Sequence, residues 1–498
     1  MRAVADEPGS VLADTGRIQE PLPRRVREML FGASIEEGAR DEFPFYVQID
    51  RAHLVMLAEQ GVLDRDRARR LLDALDELVS TDYASLRGRT PLRGAYLLYE
   101  HALIERLGQE VGGAVHLARS RNDINATVLR LRVRAVYRRL MGEGLRLVRV
   151  LTRRAEQYIA VTMPIHTHYQ AALPITYGHY LAGVALALLR DLRWIEDAVQ
   201  DLDRCPLGAG AAGGSAVAID CARTASLLGF RDAVLHSVDA VAARDLVLRL
   251  LGAASVLGVT LSRLSTDLQL WSTAEFNLIR FPDALVGSSS MMPQKRNAFL
   301  LEHITGRAGS PLGAFTAAAV ATHATPFTNS VAVGTEAVKH LWPGLRDLTD
   351  ALILARVMVA GAQPDAREMR RRAVDGFTCA TELANQLVLE GGLSFRKAHH
   401  RVGEAAREAV ECGETLAAAA QPLLRQHGLS VDVARLDPDT VAARAERGGG
   451  PAAASVHRVL TELRRHSSAR ARALAERSRR WKAAGRQIDA AVRAFRRE

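Results

Sequence analysis

The chain is poor in cysteine, poor in aromatics, and has no long run of apolar residues. Cysteine occurs only at Cys205, Cys221, Cys379 and Cys412. None forms a C-x-x-C pair or sits beside a histidine at metal spacing. That argues against a disulfide framework or a structural zinc, and for a reducing compartment. Aromatics make up 5% of the chain, while Ala, Leu and Arg dominate. Such a mix favours helix and disfavours strand. The longest apolar stretch, Leu181 to Leu189, falls well short of the roughly 20 residues that cross a bilayer. The N-terminal MRAVADEPGSVLADTG has no apolar run after its arginine, so a secretory signal is not expected. A soluble, cytoplasmic protein is the expectation.

Acidic residues are outnumbered, 56 against 66 basic, giving a net charge of +10. The basic residues are spread along helices and concentrate only in the tail after about Arg464. Trp481 and Phe495 are the only aromatics there, so the tail lacks the interleaved rings of a single-strand binder. A solvated Arg-rich surface is expected, with no membrane or nucleic-acid partner.

What the chain has in abundance is helical periodicity. Leu129, Val133, Val136, Leu140, Gly144, Leu147 and Leu151 step by 4, 3, 4, 4, 3 and 4. Leu246, Leu250, Ala253, Leu257, Leu261, Leu264 and Leu268 repeat the pattern. The eleven-residue period lies close to the pitch of a straight helix. Helices of about 30 residues are about 45 Å long, too long for a compact monomeric globule. Further long helices are expected from Thr176 to about Asp203 and after Asn297. An all-α fold follows: a three-part subunit whose long central helices form a multi-helix bundle shared between subunits. The expected divisions are a loose N-terminus (1–25), an N-terminal helical domain (26–115), a central bundle domain with the catalytic loop (116–360), a small helical domain (361–460) and a basic helical tail (461–498). A shorter helix is expected from Asp64 to Leu78, stopped by Ser80-Thr81-Asp82.

Three stretches concentrate polar chemistry. His116 to Asp123 precedes a long helix that Asn122 or Asp123 could cap, and its Arg, Ser and Asn donors make a natural carboxylate site. Met163 to His179 places histidines and hydroxyls in a loop where Pro164 and Pro174 prevent a continuous helix. His166-x-His168 has metal-pair spacing, but no third ligand cluster accompanies it. Gly287 to Asn297 combines three serines with Lys295 and Asn297, and Glu302 follows seven residues after Lys295, at helical spacing. It lacks the G-x-x-x-x-G-K-[ST] pattern of a phosphate loop.

At these stretches the chain resembles the argininosuccinate lyase branch of the fumarase/aspartase superfamily. The branch's G-S-S-x-M-P-x-K-x-N signature is matched by Ser288 to Asn297, with Ser288 in the glycine position. Its S-R-N-D and T-H-x-Q segments are Ser120 to Asp123 and Thr167 to Gln170. Pro206 to Ala211, Ser237 to Asp245, Asp50 to His53 and Asp375 to Phe377 look like the same branch.

The resemblance implies a homotetramer with a central helix bundle, sites composed from three subunits, and neither cofactor nor metal. It implies C–N cleavage of an N-succinyl substrate by β-elimination, releasing fumarate and an amine or guanidine. Ser289, six residues before Lys295, would abstract the proton. His168, oriented by Glu302, would protonate the departing nitrogen. Lys295 and Asn297 would stabilise the carbanion-like intermediate. Ser120, Arg121, Asn122, Thr167 and Gln170 would bind the substrate.

The leaving-group half departs from the pattern. Asn297 is followed by Ala298 and Phe299, where the branch continues with Pro and Asp. The stretch from Pro326 to Glu336 contains no Tyr, Gln or Lys, the residues that hold the arginine end in the branch. An N-succinyl compound of a specialised pathway is therefore the expected substrate. A true argininosuccinate lyase of arginine biosynthesis and a non-catalytic structural homologue are the alternatives.

Overall fold

The structure is a computed structural model that describes residues 22–31, 42–89, 94–428 and 433–497. The loose segment expected at 1–25 lies almost wholly outside the described residues. The elements that position the site are numbered here in chain order: α1 (Phe43–Glu59), α2 (Arg65–Ser80), α3 (Ala95–Leu107), α4 (Arg121–Gln157), β1 (Thr162–Thr167), β2 (Gln170–Thr176), α5 (Tyr177–Ala198), α6 (Asp245–Trp271), α7 (Phe299–Ala308), α8 (Ser310–Thr322), α9 (Leu341–Gly361) and α10 (Ala453–Arg497). Helix dominates, and strands are confined to three two-stranded pairings among the described residues.

The long helices form where the periodicity predicts them. In α6 all seven ridge positions from Leu246 to Leu268 are buried. In α4 the ridge is buried except at Val136, which is partly buried against the same core. Glycine sets two close approaches. A Cβ on Gly144 would lie 2.5 Å from a methyl of Leu192 in α5, and one on Gly258 would lie 2.1 Å from the Ala308 carbonyl in α7. These glycines let α5 and α7 pack tightly against their neighbours.

Several expectations are corrected. The third long helix ends at Ala198 and continues only as a 3-10 turn over Gln200–Asp203. The helix after Asn297 is two helices, broken at Gly309 because Pro311 has no N–H to give and can sit only in a first turn. Helix α2 starts at Arg65, with the Asp64 carboxylate capping the Arg67 N–H at 2.9 Å, and runs to Ser80. The absence of a long apolar run did not reveal that α6 is long and apolar enough to cross a membrane by length and composition. Charged residues interrupt its run, and its ridge is occupied by contacts with α5, α7, α8 and α9.

Apolar side chains gather in a central core of α4 to α9, an N-terminal core and a smaller core between Cys379 and Leu436. The basic segment expected as a tail is part of α10, 45 residues long and packed along the body. Leu460 and Leu463 enter the central core, while Ile488, Val492 and Phe495 enter the N-terminal one. Arg477 and Arg480 converge on the carboxylate of Asp203, to which Trp481 also donates.

Candidate active site

Helix α4 begins at the S-R-N-D segment, and this end is held from several sides. Ser120, rather than Asn122 or Asp123, is the N-cap, in a capping box with Asp123. The Ser120 hydroxyl accepts from the Asn122 N–H at 3.3 Å, and Asp123 Oδ1 accepts from the Ser120 N–H at 2.9 Å. Asp123 Oδ2 accepts from the backbone N–H groups of Gly208 and Gly210 at 2.9 and 3.0 Å. Gly208 (φ 102°) and Gly210 (φ 57°) occupy left-handed backbone that brings both donors round one carboxylate. Burial pushes the Asp123 carboxyl above its ordinary range, against the pull of these N–H groups.

The residues just before Ser120 are clamped from α1 and α3. Arg119 and Asp50, whose side chains are fully buried, form an ion pair at 2.5 Å. Tyr99 donates to the other Asp50 oxygen at 2.7 Å. His53 Nε2 lies 2.8 Å from the Leu117 carbonyl and acts as its donor; burial and the Arg119 charge hold the ring well below the usual histidine range, so it is neutral. Asp50, His53, Arg119 and Asp123 thus fix the loop that presents Ser120, Arg121 and Asn122. The sequence signal was there, in Asp50-Arg51-Ala52-His53, but nothing local tied it to residue 119.

The second stretch is a β-hairpin, not the loop expected. β1 and β2 pair antiparallel from Thr162↔Thr176 to Thr167↔Gln170, with a register shift between Ile165 and His166. His168 and Tyr169 form the two-residue turn, both left-handed at φ 51° and 63°. Thr167, His168 and Gln170 are therefore displayed together at an exposed tip. His166 is half-buried, its ring edge-on to Phe276 with centroids 5.7 Å apart, and burial lowers its pKa. Among the described residues no group of three or more His, Cys, Asp or Glu is placed to hold a metal.

The serine loop is closed at its neck by a reciprocal pair of 2.8 Å backbone bonds between Gly287 and Asn297. Inside it the Ser289 hydroxyl accepts from the N–H groups of Met292 at 3.0 Å and Met291 at 3.3 Å. Neither the Ser288 nor the Ser290 hydroxyl has such a bond among the described residues. Lys295 is exposed and Asn297 is half-buried. Helix α7 begins only at Phe299, so helical spacing does not relate Lys295 to Glu302. Glu302 is exposed in the first turn and lines an open depression of about 530 Å³ with Phe299, His303, Gly306, Arg307 and Asp347.

The S-R-N-D stretch does not meet the other two within one chain. Ser120 caps one end of α4 and the hairpin follows the other, 37 residues on, so the two lie about 55 Å apart at 1.5 Å per residue. The serine loop belongs to the hairpin end. Phe276 touches His166, and Ser265, late in α6, donates to the Leu301 carbonyl of α7 at 2.7 Å. Among the described residues no hydrogen bond or ion pair joins the side chains of His168, Ser289, Lys295 and Glu302.

A bundle of this kind, with polar loops at both ends of its long helices, matches the family model described as lyase over residues 41–313 and that of the argininosuccinate lyase C-terminal region over 377–441. The chain belongs to this lyase family, as an argininosuccinate lyase-like carbon–nitrogen lyase of the fumarase/aspartase superfamily. It is 34% identical over 454 residues to an argininosuccinate lyase of Methanothrix thermoacetophila, covering 90% of this chain and 91% of that one. It is 37% identical to that of Thermus thermophilus over 370 residues, 74% and 79% of the two chains. Among solved structures, EDDS lyase in complex with formate superimposes with a TM-score of 0.83 at 29% identity, over 95% of this chain and 96% of that one. An EDDS lyase variant with bound fumarate fits equally well.

Proposed function

We propose that this enzyme eliminates fumarate from an N-succinyl amine at sites shared between copies of the chain, as a homotetramer in the cytoplasm, and that the amine released is not arginine. The observation that carries the chemistry is the pair of backbone N–H groups on the Ser289 hydroxyl. A free serine is a poor base. Two donors aimed at its oxygen favour the alkoxide, and they distinguish Ser289 from its neighbours. Ser289 takes the proton from the carbon next to a carboxylate. Lys295 and Asn297 stabilise the charge that develops on that carboxylate. The C–N bond then breaks, and His168 from the hairpin tip of another copy protonates the nitrogen, with Glu302 orienting it. Ser120, Arg121, Asn122, Thr167 and Gln170 bind the substrate. The 55 Å span of α4 is the reason a single chain cannot supply all of these groups.

The leaving-group half supports a different amine. Phe299 stands 39% exposed at the start of α7, and Phe327 and Val331 are 75% and 72% exposed. From 326 to 336 the only ionisable side chain is Glu336, which is paired with Lys339. No unpaired carboxylate remains on that stretch for a guanidinium. A second reading, argininosuccinate lyase itself, is favoured by the names of the sequence relatives. Steady-state assays following fumarate absorbance decide between them. A panel of N-succinyl amines should include a substrate turned over far faster than argininosuccinate; efficient turnover of argininosuccinate refutes the altered leaving group.

A further inference from the structure

Asn122 and Asn329 are 207 residues apart in the chain and joined by a hydrogen bond of 2.7 Å. Asn329 Nδ2 donates and Asn122 Oδ1 accepts. An asparagine amide is two-faced, with an acceptor on one side and two donors on the other. A bond to the Asn122 oxygen therefore settles which face it shows elsewhere: its oxygen is occupied and its NH2 is turned away from Asn329. At a helix N-terminus that faces a carboxylate, only this orientation is attractive, because the opposite one would set oxygen against oxygen.

We infer that Asn329 is a positioning residue that locks the Asn122 amide with its donors toward the substrate carboxylate. The inference rests on the proposed role of Asn122. Two features mark the contact as built. The Asn329 Oδ1 atom is buried with no hydrogen-bond partner among the described residues, where the bond to Asn122 is the one this side chain makes. Its space is left open by Gly334: a Cβ there would lie 2.6 Å from Oδ1. Gly334 sits in the single π-helical turn, Ala332–Glu336, that follows Asn329 among the described residues. The stretch that departs from the arginine-holding pattern thus still serves the other half of the substrate. It does so through a residue that touches Asn122 rather than the reacting atoms.

The test is fumarate binding to the assembled enzyme by calorimetry, beside kcat and KM. Asn329→Asp replaces the donor with an acceptor, so the Asn122 amide turns over and presents its oxygen to the ligand. Fumarate affinity should fall about tenfold, with KM rising more than kcat falls. Asn329→Leu removes the donor without adding charge and should cost about threefold. Gly334→Ala displaces Asn329 from a distance and should act in the same direction, which keeps the idea testable if the Asp variant does not fold. In the double variant with Asn122→Ala, Asn329→Asp should add nothing to the loss from Asn122→Ala alone. Wild-type fumarate affinity in Asn329→Asp, or losses that multiply in the double variant, overturn the inference. Normal fumarate affinity in Asn122→Ala removes Asn122 from the site, and the role of Asn329 with it; the proposed elimination would survive that result, since it is read from turnover.

Discussion

The two ends of helix α4 are built on opposite principles. At the N-terminal end, charged and polar side chains are buried and paired: Asp50 with Arg119 and Tyr99, His53 with a carbonyl, Asp123 with three backbone N–H groups. At the far end, His168 stands on an exposed two-residue turn, and Ser289 lies in a loop whose neck is held by one reciprocal pair of backbone bonds. The first end is preorganised within a single chain. The second carries its groups on exposed turns, and under the proposed mechanism the groups that complete it come from other copies of the chain. Binding groups fixed in advance lose little freedom when a ligand arrives, whereas a base and an acid on exposed turns can close over the substrate once it is held.

The contrast can be broken at the far end first. Ser289→Ala should lower turnover by roughly 10⁴-fold while fumarate binding and the oligomer persist. Near-normal turnover would remove Ser289 from the mechanism. His168→Asn should cost roughly 10²–10³-fold, most severely for poor leaving groups; a loss that ignores the leaving group would count against its acid role. At the other end the effect is on stability. Arg119→Met leaves the Asp50 carboxylate buried and unpaired and should destabilise the fold by about 3–5 kcal/mol in denaturant unfolding. A loss below about 1 kcal/mol would show that this end is not held as described.

The smallest effect is a pH slope. His53 is neutral in the fold, with its pKa held well below the usual range by burial and Arg119, while the unfolded chain takes up a proton near pH 6.5. The unfolded state therefore binds more protons as the pH falls from about 7.5 to about 5.5, and stability declines across that window. His53→Gln removes this contribution, so its Tm should fall less between those two pH values than that of the wild type. Equal slopes would mean that His53 does not report on the clamp.

Much of this was legible in the sequence, and what was not has physical reasons. The 4-3-4 ridges announced α4 and α6 because an apolar stripe is a local property. The hairpin was hidden because its prolines face each other, Pro164 opposite Pro174, and read one at a time they signal a loop. The break at Gly309 could have been taken from Pro311. The cap falls to Ser120 because the helix starts at Arg121, with Asp123 at its third position completing the capping box; the other Asp123 oxygen takes Gly208 and Gly210, which no spacing relates to it. The choice of Ser289 among three serines came from the resemblance, in which the serine stands six residues before the lysine; the backbone N–H groups on its hydroxyl had no trace in the sequence. The bond from Asn329 to Asn122 had no local trace at all.

The shared site is the claim on which the mechanism depends, and mixing two inactive variants tests it most directly. The Ser289→Ala and His168→Asn variants, dissociated and reassembled together, should regain fumarate release in about one site in four, because those sites draw the serine from one variant and the histidine from the other. If the mixture stays as inactive as its components, serine and histidine act within the same chain, and a site that draws its three stretches from three copies is wrong.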